Sequence, residues 1–214
     1  VAEVGKLIAE YLTPDGVDLE VGGTVEDQGD AFGDLGTLLI LIVILVYIVM
    51  ATQFESLKFP FIIMFTIPFA FTGVFLALWM TSTPLSLIAL IGAIMLVGIV
   101  TKNGIVMVDY MNLLIERGSG VFDAVIAGGK SRLRPVLMTS FTTILGMLPL
   151  AIGTGAGSET WQPMGIAVIG GLTFSTILTL FIVPVLYSIL VNRSQRKERE
   201  KLARLAAEHQ ASVH

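Results

Sequence analysis

The 214-residue chain contains no cysteine and only two histidines, which excludes disulfides and thiolate metal sites. His209 and His214 both fall in the C-terminal tail, away from any acidic or hydroxyl cluster. Charge is scarce as well: Asp, Glu, Lys and Arg supply 14% of the residues against 54% hydrophobic ones, whereas soluble domains carry roughly 25% charged residues. The deficit is concentrated in blocks. Phe59 to Thr101 is a run of 43 residues without one charged side chain. No nucleophile and base pair, metal-ligand set or phosphate loop is present, and Gly153, Gly155 and Gly157 follow a predicted helix rather than a strand. An enzyme, a bound cofactor or metal and a nucleic-acid partner are therefore not expected.

What is there is apolar sequence in lengths that suit a lipid bilayer. Crossing the hydrocarbon takes about 20 apolar residues per helix, and the uncharged runs between Asp34 and the basic tail supply five such helices, near 35–54, 60–80, 85–113, 135–152 and 162–191. The 43-residue run is too long for one helix and divides at MTSTP, residues 80–84, where a Thr/Ser cluster closes on Pro84. The fourth run ends in the glycine-rich GTGAGS turn. Ahead of it, VFDAVIAGG is short and amphipathic and is expected to lie on the membrane surface. Pro68, Pro149 and Pro184 fall inside spans, where kinks are tolerated if neighbours satisfy the freed carbonyls. The predicted class is an all-α membrane protein, a five-helix transmembrane bundle embedded in lipid.

Lysine and arginine orient the bundle, because they accumulate on the cytoplasmic side. With residues 1–32 outside, the inside segments 53–60, 114–134 and 192–214 hold eleven of the 13 basic residues, leaving Lys6 outside and Lys102 in the membrane. Residues 1–32 are acidic and of a different character: VAEVGKLIAEYL has helical spacing, TPDG is a turn and VDLEVGG alternates like a strand. Such an α/β remnant is too small for a core of its own, so the chain is expected to be the C-terminal piece of something larger. Residues 192–214 form a charged, helix-forming tail read as a solvated extension.

Lys102, in GIVTKNGIVMVDY, is the residue that demands a reason. An ionisable side chain at a helix centre costs roughly 3 kcal/mol on insertion scales. The third helix is about 43 Å long at 1.5 Å per residue and overshoots a ~30 Å core, so snorkelling to the cytoplasmic surface is the bland alternative. Direction opposes it: helical side chains lean toward their own N-terminus, here the external end. Asp109 is the one other charge within the five spans, seven residues further along the same face. That separation is about 10.5 Å along the axis, and the lysine leans away from it. The counter-ion should lie elsewhere in the parent polypeptide.

The fourth span carries hydroxyls in KSRLRPVLMTSFTTILG. For Ser140 and Thr142 the expectation is a bond back to the carbonyl four residues earlier. Thr139, one turn from Thr143, matters only if the third and fourth helices pack together. Arg132 and Arg134 can be inside anchors or gating groups. In the fifth span Ala167, Gly171, Ser175 and Thr179 recur every four residues, a small-residue stripe that lets another helix approach.

GIVTKNGIVMVDY, RLRPVLMTSFTTILGMLPLAIGTGAGS and GIAVIGGLTFSTILTLFIVPVLY together resemble the last three membrane helices of resistance-nodulation-division (RND) efflux pumps of the hydrophobe and amphiphile branch. LEVGGTVEDQGDAFGDLG is similar to the stretch joining their last periplasmic porter segment to the eighth of twelve helices. The resemblance implies a proton antiporter of the bacterial inner membrane, a homotrimer working with a periplasmic adaptor and an outer-membrane channel, and a periplasmic N-terminus and cytoplasmic C-terminus for this stretch. It implies a relay in which Lys102 of the TKNG motif, with Asn103 beside it, faces two aspartates of the fourth helix, which this chain lacks. Thr139 of LMTS and Arg132 of RLRP fall on the family's threonine and arginine, and Asp109 is counted with the relay as the remaining embedded charge. Two other readings stand beside this: a heavy-metal exporter of a sister branch, whose pattern has an acidic residue where Lys102 stands, and a Sec-accessory-like assembly factor, which would lack TKNG combined with RLRP and MTS.

Overall fold

The computed structural model describes residues 24–153, 155 and 157–212, with side chains from Gln28 to Asn192. Among the described residues six α-helices follow one another: α1 Thr24–Gln53, α2 Lys58–Met64, α3 Ile67–Met80, α4 Leu87–Glu116, α5 Val121–Ile152 and α6 Ser158–Ser212. No strand occurs among the described residues. The α/β reading of residues 1–23 lies outside them. Among the described residues five stretches are long and apolar enough to cross a membrane: Gln28–Gln53, Lys58–Met80, Leu87–Glu116, Val121–Ile152 and Ser158–Asn192.

Four helix limits differ from the expectation. Residues 24–32, read as part of the acidic remnant, already belong to α1. The second span is two helices. Pro68 lacks an N–H and its ring collides with the carbonyl four residues back, so the chain breaks at Phe65–Thr66 and Pro68 opens α3 near its first position, where no donor is needed. Thr66 Oγ1 donates to the Ile63 carbonyl at 2.6 Å and closes the break. VFDAVIAGG is the continuous first part of α5, because nothing between Val121 and Pro135 interrupts the helix. The fifth span likewise runs unbroken into the tail as far as Ser212; the residue 191 boundary marks a change of charge, not of backbone.

Helix ends follow local chemistry. Ser86 Oγ caps α4 by accepting from Ala89 N at 3.2 Å, and Gly153 ends α5 with φ 71°, the left-handed C-cap that glycine alone adopts without a Cβ penalty. α6 is the hub, packed against α3, α4 and α5. One core joins Ala70, Val74 and Leu78 of α3 to Ala93, Leu96 and Val100 of α4 and to Ala167 and Leu172 of α6. A second, at the other end of the bundle, joins Met50, Ile62 and Ile63 to Met107, Met111, Val183 and Tyr187. There Tyr187 donates to Asn112 Oδ1 at 2.5 Å and its ring stacks on Phe59. The small-residue stripe Ala167, Gly171, Ser175 and Thr179 is buried along α6, as its packing role requires.

Candidate functional site

Lys102 lies on α4 between the two cores, on the side turned away from α6. Its neighbours Val100, Thr101 and Gly104 are buried while Lys102 itself is exposed. The helical period explains the division, since Val100 and Gly104, two residues to either side, point about 200° away from Lys102. Gly104 is in the core because a Cβ there would stand 2.8 Å from Ile63 Cγ2. Close packing on that side turns Lys102 outward.

A groove of about 380 Å³ separates α4 from α5, lined by Ile99, Lys102 and Asn103 of one and by Met138, Thr139, Ser140, Thr142 and Thr143 of the other. Lys102 also borders a second, apolar groove of about 290 Å³, shared with Leu45, Val46, Val49 and Met50 of α1. Lys102 thus stands on a ridge between two clefts. Among the described residues no carboxylate pairs with it.

Three of the five expected site residues, Lys102, Asn103 and Thr139, meet in the first groove. The other two do not. Asp109 is exposed two turns along α4 and lines no part of it, and Arg132 lies seven residues before Thr139 on α5. Arg132 has a different partner: its guanidinium sits 4.6 Å from the centre of the Tyr110 ring, a cation–π contact between α5 and α4. Its buried Nε has no hydrogen-bond partner among the described residues.

The groove hydroxyls divide into two kinds. Thr142 donates to the Met138 carbonyl at 2.8 Å and Thr143 to the Thr139 carbonyl at 2.9 Å. Thr139 donates backward too, at 2.9 Å to Val136 O and 3.1 Å to Pro135 O, which leaves its oxygen lone pairs free to accept from the groove. Ser140 departs from the expectation: its hydroxyl is not bonded back along α5 but lies 2.9 Å from Thr176 Oγ1 on α6, and both are buried. The reason is azimuth, because Ser140 falls on the same side of α5 as Val136, against α6, where a cross-helix partner is in reach.

The comparisons with known proteins agree with these motifs. Residues 1–191 match the AcrB/AcrD/AcrF family. The chain belongs to that family of RND permeases. It is 38% identical over 197 residues to the swarming motility protein SwrC of Bacillus subtilis, covering 92% of this chain and 19% of that one. It is 38% identical over 190 residues to the cobalt-zinc-cadmium resistance protein CzcA of Cupriavidus metallidurans, covering 89% and 18%. It is 37% identical over 203 residues to the multidrug resistance protein MdtC of Erwinia tasmaniensis, covering 92% and 20%. A crystal structure of a heavy metal efflux pump superposes with a TM-score of 0.77 at 30% identity, over 89% of this chain and 19% of that one. The chain spans about a fifth of the length of the relatives it matches. The all-helical membrane fold and the family read from the motifs both hold.

Proposed function

We propose that this chain is the C-terminal membrane portion of an exporter driven by the proton-motive force, with Lys102 carrying half of its proton relay. The observation that carries the reading is an ammonium in an apolar helix, at the rim of a hydroxyl-lined groove, with no carboxylate against it among the described residues. A charge set within an apolar membrane helix calls for a partner. In this reading the partner is the aspartate pair of the fourth helix of the complete polypeptide, docked into the open clefts beside Lys102. Ionised carboxylates beside a cation are held charged, while burial pushes them toward neutrality, so one proton can tip the balance. Neutralisation loosens the pair and lets the helices settle into their other arrangement. A proton moving across 100 mV brings about 2.3 kcal/mol from the potential alone.

Asn103 and Thr139 flank the ammonium in this scheme. Asp109 and Arg132, two turns away, act at the inner end of the path, Arg132 held by Tyr110. The working assembly is a homotrimer in the bacterial inner membrane, joined to a periplasmic adaptor and an outer-membrane channel, with residues 1–32 periplasmic and 192–214 cytoplasmic. No enzymatic step enters.

Lys102 favours amphiphilic organic compounds as cargo, the class in the name of the MdtC relative. Metal cations are the second reading, favoured by the CzcA relative and the efflux-pump structure. Proteoliposomes of the intact protein, given an imposed pH gradient, decide between them: export of an amphiphilic dye without export of Zn²⁺ or Co²⁺ supports the first, and the converse the second. Transport of neither, with the protein assembled, overturns the reading. In the same assay Thr139→Ala is expected to slow export about two- to tenfold, the range of one hydrogen bond, and Thr139→Ser to stay near wild type. Equal rates for Thr139→Ala and wild type would return Thr139 to a packing role.

A further inference from the structure

α5 packs along α6 and beside α4 and leaves much of its remaining surface exposed. Only 11% of its membrane window is buried, against 50% for α4 and 50% for α6. Past Pro135 its buried residues are Val136 and Ser140. Its outer end is held by Gln162, whose Nε2 donates to the Ala151 carbonyl at 3.1 Å, and by close backbone packing, since a Cβ on Gly165 would stand 2.7 Å from Ala151 N. Its inner part is held by Gly128 against Met111 and by Arg132 on Tyr110. Between those anchors, Ser140 with Thr176 is the one side-chain hydrogen bond joining α5 to α6 among the described residues.

We infer that the Ser140–Thr176 hydroxyl pair is a positioning pair: it fixes the roll of α5 about its axis and so aims Thr139 and Thr143 at Lys102. Ser140 follows Thr139 directly, so their side chains leave α5 about 100° apart, and holding one determines where the other points. A roll of about 20° moves a hydroxyl ~5 Å from the helix axis by about 2 Å, more than the whole range of hydrogen-bond lengths, so it would turn Thr139 away from the groove it shares with Lys102. Pro135 and Pro149 bracket this stretch and remove two backbone bonds from α5, which leaves the middle of the helix dependent on side-chain contacts for its setting. This inference rests on the proposed relay and deepens it.

The test uses the intact protein in proteoliposomes, with Ser140→Ala, Thr176→Val, the double variant and the exchange Ser140→Thr with Thr176→Ser. Export is followed against pH, with trimer content measured in parallel. The charged groups facing the groove are Lys102 of α4 and the carboxylates docked against it; Asp109 and Arg132 lie two turns away, and α6 brings no titratable side chain between Glu159 and Tyr187. Each single variant is expected to lower export about two- to twelvefold and to move its pH midpoint by about 0.4 to 1 unit, both the size of one net hydrogen bond. The double variant should be no worse than either single, and the exchange should restore rate and midpoint. Variants that lose export only in proportion to trimer content, with an unmoved midpoint, overturn the inference, as does an exchange that assembles with a shifted midpoint. If the single variants do not assemble, the exchange alone decides. Lys102→Ala run alongside separates the two claims: if it exports normally the relay reading fails, and if it is inactive while the hydroxyl variants keep the wild-type midpoint, only the positioning pair fails.

Discussion

Lys102→Ala in the intact protein is expected to reduce proton-driven export by about two orders of magnitude or more while leaving expression and trimer assembly near normal. The size follows from what remains. Removing one partner of a buried ion pair strands the other charge, which costs roughly 3–5 kcal/mol. A carboxylate pair without its cation takes up a proton and stays neutral, so the pump loses the charged arrangement from which a cycle begins. Folding should tolerate the change, because Lys102 is exposed within this chain and contributes to neither core. Lys102→Arg keeps the charge but replaces a compact ammonium by a planar fork, so partial activity is expected rather than recovery. Dye efflux from cells and a pH-gradient assay in vesicles both read the result, and undiminished efflux by Lys102→Ala would reject the relay.

The second large effect belongs to packing. Gly73→Leu is expected to cost 3 kcal/mol or more, roughly the scale of a severe core disruption, and to deplete assembled protein. A Cβ at Gly73 would stand 2.6 Å from Phe174 Cβ and 2.8 Å from the Gly170 carbonyl, and one at Gly170 would collide with Ala77 Cβ. At this crossing α3 and α6 meet backbone to backbone, with no side chain able to turn aside. Membrane helices gain their association from such close approach, because lipid is as apolar as leucine and supplies no hydrophobic drive. Gly73→Ala should show a smaller loss in the same direction. Thermal unfolding and size-exclusion profiles in detergent measure both, and a Gly73→Leu protein of normal stability would contradict the crossing.

The sequence made the bundle legible because lipid removes alternatives: a run of some 20 apolar residues has to be a helix there, and the Pro84 and GTGAGS breaks separated the runs correctly. Helix limits were harder. Composition marks where charge bounds the apolar runs, at Asp34, Arg134 and Arg193, but backbone continues through charged residues wherever nothing stops it, which is why α1, α5 and α6 all run past those points. Pro68 was visible as a possible kink; that the span breaks at Phe65–Thr66, where the Thr66 hydroxyl and N–H both turn to the Ile63 carbonyl, was not. Within the site, Lys102 announced itself by the cost of its charge, and Asn103 and Thr139 came with the motif. Ser140 was misread because the back-bonded state is favoured in isolation, and only the position of α6 supplies Thr176 instead. Its place on the Val136 face was a signal available from spacing alone. The Tyr110 partner of Arg132 required knowing that α4 and α5 run side by side.

The most direct measurement is a structure of the intact protein in a lipid environment, read at one atom. The account predicts the Lys102 Nζ within about 4 Å of a carboxylate oxygen from the first half of the polypeptide, with the α4–α5 groove filled. An ammonium surrounded by water at the cytoplasmic surface, with no carboxylate in reach, would contradict it.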